Sequence, residues 1–120
     1  MKNQAKSANY ATAETLWEDS ILIAKNPDLL RGGLASIVEG IALWSDTLSA
    51  EGIIRLQAID SEAAEILTAL RDSLSSYLRV KGSIVDILKV IEPNRMTLGD
   101  LTIVSINIKS LCGILVRISQ

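Results

Sequence analysis

Between Ile53 and Ile91 apolar side chains return every three or four residues, from Leu56 and Ile59 through Ile66, Leu70 and Leu74 to Ile84, Ile87 and Ile91. That spacing winds a single apolar stripe along a helix. Leu56, Ala63, Leu70, Tyr77, Ile84 and Ile91 also keep a step of seven, with Ile59, Ile66, Val80 and Ile87 three residues behind. Ser49 is placed to cap this segment, and Glu51 falls in its first turn. The unbroken stripe favours one helix from Ala50 to Val80, about 46 Å long. Asp60 and Ser61 offer a competing start, since either can cap a fresh helix.

The same periodicity predicts helices on both sides. A first helix runs from Thr12 to about Lys25, with Leu16, Trp17, Ser20, Ile21 and Ala24 along one side. Asn26-Pro27-Asp28 then marks a new helix start, with Pro27 at the first helical position. Gly32 and Gly33 weaken the helix beyond that start, so Pro27 to Arg31 can form a short turn ahead of a main helix from Leu34 to Leu48. Lys81-Gly82 is an ordinary helix stop. Ser83 with Asp86 restarts a short helix from Ile84 to about Ile91. After a turn at Pro93-Asn94-Arg95, Thr97 and Asp100 cap a last helix whose stripe is Leu101, Val104, Ile108, Leu111, Leu115 and Ile118. Residues 103–109 also alternate in the manner of a strand, but the helical stripe is three times longer. The expected fold is all-α: a four- or five-helix antiparallel bundle with one long central helix, residues 10–120 forming a single domain behind a polar, flexible arm at 1–9.

Composition narrows the chemistry. The 120 residues suit one domain, and 48% are apolar, with no Phe, two Trp and two Tyr, so the core must be aliphatic. A mean hydropathy of +0.31 is high for so small a chain and points to self-association or a partner as an outlet for apolar surface. The single cysteine, Cys112, lies in an apolar run and is expected to be a buried core thiol. No secretory signal or membrane-length apolar run is evident, so a cytoplasmic location without a membrane span is expected.

With no histidine, Ser-His-Asp and Cys-His nucleophiles and imidazole metal sites are excluded. One cysteine cannot build a thiolate cage, and no phosphate-binding loop motif surrounds Gly32-Gly33. Asp60, Glu62 and Glu65 form the richest carboxylate group, but Glu62 and Glu65 lie on the side away from the apolar stripe, where charges are solvated. A non-enzymatic protein without cofactor or metal is the consequence.

Charge adds one alternative. Residues 1–70 carry five Lys or Arg against ten Asp or Glu, a balance of −5, and residues 71–120 carry seven against four, a balance of +3. Arg71, Arg79, Lys81, Lys89 and Arg95 make a conceivable nucleic-acid strip. Asp72, Asp86 and Glu92 interrupt it, and the pI of about 5.1 weighs against it. The favoured expectation is a protein-protein interaction module of adaptor, chaperone or inhibitor (immunity) type that binds another protein or itself as a homodimer. Its expected surface joins a small-residue face, Gly33, Ser36 and Gly40, to the last helix through Val104, Ile108, Leu111 and Leu115.

Overall fold

The computed structural model describes the backbone from Asn3 to Gln120 and the side chains from Tyr10 onward; Met1 and Lys2 of the expected arm lie outside the described residues. The order of helices is α1 (Asn3–Lys25), α2 (Leu30–Ile41), α3 (Ser45–Leu48), α4 (Ala50–Gln57), α5 (Ser61–Leu78), α6 (Ile84–Lys89) and α7 (Leu98–Ser119). Short 3-10 turns at Pro27–Leu29, Ala42–Trp44 and Pro93–Arg95 join them. No strand occurs among the described residues, and residues 103–109 are helical. The fold is an all-α bundle.

The long middle segment divides. α4 ends at Gln57 and α5 begins after Asp60, whose carboxylate accepts the Ala63 N–H at 3.2 Å. At the break Ile59 is 84% exposed, although Leu56 and Ala63 on either side of it are buried. Leu56 and Ala63 stay in the core, while Ile59 leaves the stripe for the surface where the helix breaks. A local cap satisfies the first free N–H groups of α5 and removes the need for a continuous ladder. The longest helices are instead α1 and α7, and α1 begins well before Thr12.

Two other boundaries differ from expectation for local reasons. α2 passes through Gly32 and Gly33 and gives way to a 3-10 turn after Ile41, so Leu34 to Leu48 is not one helix. α5 stops at Leu78, where Arg79 takes the left-handed cap conformation at φ 58°, and Gly82 keeps a positive φ of 138° in the turn beyond it. Ser75 secures that stop: its carbonyl accepts the Val80 N–H at 3.1 Å and its hydroxyl donates to the Val80 carbonyl at 2.6 Å. The capping boxes Ser83–Asp86 and Thr97–Asp100 both form.

α7 is the centre of the bundle. It lies along α1 and also packs on α5. Trp17 covers Gly113, where a Cβ would come within 3.2 Å of the indole, and the Lys109 ammonium sits 5.8 Å from the same ring. α7 is long and apolar enough to cross a membrane, yet 44% of its most apolar stretch is buried inside the fold. Cys112 is fully buried, and burial pushes its thiol up to about 12.

Three contacts fasten the periphery. The Arg31 guanidinium donates to the Pro93 carbonyl at 2.8 Å and the Met96 carbonyl at 3.2 Å, pinning the turn before α7 onto the start of α2. The Tyr77 hydroxyl donates to the Asp100 carboxylate, tying the end of α5 to the first turn of α7. That bond raises the Tyr77 pKa and lowers that of Asp100. Gly52 lets α4 turn tightly against α3, since a Cβ there would lie 1.9 Å from the Asp46 carbonyl oxygen.

Candidate functional site

The two halves of the expected interface have different fates. Val104, Ile108, Leu111 and Leu115 are 0–1% exposed, because α7 is covered by α1 on one side and α5 on another. They are core and offer no docking surface. The small-residue face of α2 is itself divided. At Gly40 a Cβ would lie 2.7 Å from Leu16 Cδ2, so α1 already occupies that hollow. At Gly32 and Gly33 nothing lies within 4 Å, and Ser36 is exposed.

Around that open end runs a groove of about 490 Å³ between α1 and α2, lined by Leu22, Leu29, Gly32, Gly33 and Ser36, with Asp19 and Asp28 at its rim. Leu22 is 58% and Leu29 47% exposed. Two large apolar side chains thus stand beside a hollow left by two glycines and a serine. Lys25 and Arg31 add positive charge to the neighbouring helix ends. Leu22 and Leu29 carried no signal in the sequence, because each sits in a short apolar run, Ile21-Leu22-Ile23 and Leu29-Leu30, whose members are equally good core candidates.

The basic residues do not converge. Arg71 is half-buried and bonds Asp72 at 3.5 Å, while Arg95 is held by Glu92 at 3.3 Å. Arg79 and Lys81 lie in the α5–α6 connection. Lys89 borders a groove against α2 with Arg31, whereas Arg95 borders a different and smaller hollow. Each acid next to a base cancels much of the field a polyanion would follow.

One cluster joins parts of the chain that the sequence keeps far apart. Arg117, in the last turn of α7, bonds Asp60 through Nε and Nη2, both at 2.8 Å, and Glu62 through Nη1 at 2.9 Å. The Arg117 guanidinium and the Ala63 N–H hold the Asp60 carboxyl below its ordinary range. Glu62 therefore forms part of a clamp, not a purely solvated face. Among the described residues no group of three or more His, Cys, Asp or Glu is arranged to hold a metal ion. No family model, curated protein or solved structure matches this chain.

Proposed function

We propose that this protein is a non-enzymatic interaction module that self-associates by docking the α1–α2 groove of one copy against the same groove of a second. The observation that carries this is the adjacency of Leu22 and Leu29 to the open hollow at Gly32, Gly33 and Ser36. A two-fold axis presents the same patch to itself, so a surface bearing both knobs and holes is self-complementary. Asp19 on the rim and Lys25 close to it in sequence supply both signs of charge and suit the same pairing, Asp28 and Arg31 being held by each other at 3.1 Å. Burial of leucine side chains supplies affinity, at about 1.5–3 kcal/mol for each one fully covered. The high mean hydropathy of the chain supports the same reading.

Sedimentation velocity over a range of concentrations tests this. The wild-type protein is expected to reach twice its 13.0 kDa mass. Leu22→Asp with Leu29→Asp is expected to remain monomeric with unchanged helicity, since both side chains are on the surface. A wild-type protein that stays monomeric at every concentration contradicts the proposal, as does a double variant that still dimerises.

A further inference from the structure

A second cavity lies where α3, the α4–α5 break and the last turn of α7 meet, away from the α1–α2 groove. Its volume is about 530 Å³, within the range of small-molecule sites. Trp44, Leu56, Ile59 and Ile118 give it apolar walls, and Asp46, Thr47, Arg55 and Ser119 bring polar groups to it. Arg117 and Asp60 border it too, but they are spent on each other and on Glu62. That leaves Arg55 as a cation and Asp46 as an anion among its lining residues, neither in an ion pair among the described residues.

Ser119 supplies an independent indication. It is only 8% exposed, and its hydroxyl oxygen meets no donor or acceptor. Serines elsewhere in these helices find a backbone carbonyl: Ser20 donates to Trp17 at 2.7 Å and Ser105 to Thr102 at 2.9 Å. A buried hydroxyl without a partner costs free energy that a bound polar group can return. It stands at the wall of the same cavity as Arg55 and Asp46.

We infer that this cavity binds a small zwitterion of the amino-acid type with an apolar side chain. Arg55 matches its carboxylate, Asp46 its ammonium group, and Trp44, Leu56 and Ile118 its hydrocarbon. A shift of the last turn of α7 brings the Ser119 hydroxyl, closed off from the cavity in the free protein, to the second carboxylate oxygen. Opposite charges at one site favour a ligand carrying both over an acid or an amine alone, because each of those leaves one protein charge unmatched. The Arg117 clamp holds the cavity's two walls, the α4–α5 break and the end of α7, in register.

Titration of the full-length protein with L-leucine, 4-methylpentanoate and isoamylamine tests this, read by Trp44 fluorescence in a Trp17→Phe background and by amide NMR shifts. L-Leucine is expected to saturate, with the acid and the amine each at least about 10-fold weaker. Arg55→Gln and Asp46→Asn are each expected to weaken leucine about 10-fold or more with unchanged thermal melting, since both residues are exposed. Ser119→Ala is expected to weaken leucine while raising the melting temperature of the free protein. No saturable response to leucine or to L-phenylalanine, equal binding of the acid, or binding indifferent to Arg55→Gln and Asp46→Asn overturns the inference.

Discussion

At Arg79 a long charged side chain occupies a backbone conformation that glycine adopts freely. Its φ of 58° closes α5 three residues before the glycine at position 82. An L-residue in the left-handed region costs roughly 1–2 kcal/mol. Arg79→Gly is therefore expected to raise stability by roughly 1 kcal/mol in urea unfolding. Unchanged or lowered stability would mean that the Arg79 side chain makes compensating contacts. The Arg117 clamp allows a second prediction. Folding lowers the Asp60 pKa below its ordinary 3.8, so the clamp's stabilisation is fully present above that value and is lost as pH falls through the lowered folded value. Asp100 shifts the same way, chiefly through the Tyr77 bond. The melting temperature is expected to hold level from neutrality to about pH 5 and to fall below pH 3.8. Arg117→Gln is expected to lower the neutral-pH melting temperature and to shrink that acid-dependent fall; an identical pH profile in the variant would contradict the role given to the clamp.

Among the elements, α7 decides the architecture. Ile108 is 1% exposed between α1 and α5, so Ile108→Asp places an unpaired charge in the core. We expect a loss of about 4 kcal/mol or more, with global unfolding and no folded monomer. A folded variant with altered oligomeric state would place Ile108 at an interface instead. The α7 stripe, both capping boxes and the Pro93 turn were legible because each rests on neighbours in sequence. The break at Asp60 was legible only as an alternative, since the periodic stripe of Leu56, Ala63 and Leu70 is the same whether or not the backbone ladder is interrupted. Which apolar face of α7 is internal could not be read from α7 alone. It depends on Trp17 reaching Gly113 and on Arg117 finding Asp60, 57 residues away. The Gly33 and Ser36 end of the small-residue face was likewise visible in the sequence, whereas its partition from Gly40 is set by Leu16 of another helix.

For the whole molecule, the aliphatic composition leaves large side chains on the surface even after a bundle has formed around α7. Leu22 and Leu29 stand beside an open hollow of their own. The proposed dimer covers that region and leaves the basic residues from Arg71 to Arg95, as well as the Trp44 cavity, outside its contact. Self-association and ligand binding are therefore expected to be separable by substitution. The most direct test is an amide NMR map of the wild-type protein on serial dilution. The account predicts concentration-dependent shifts centred on Leu22, Leu29, Gly32, Gly33 and Ser36, with the amides of Trp44, Arg55 and Ser119 unmoved. Shifts absent at every concentration, or centred on another face, would contradict it.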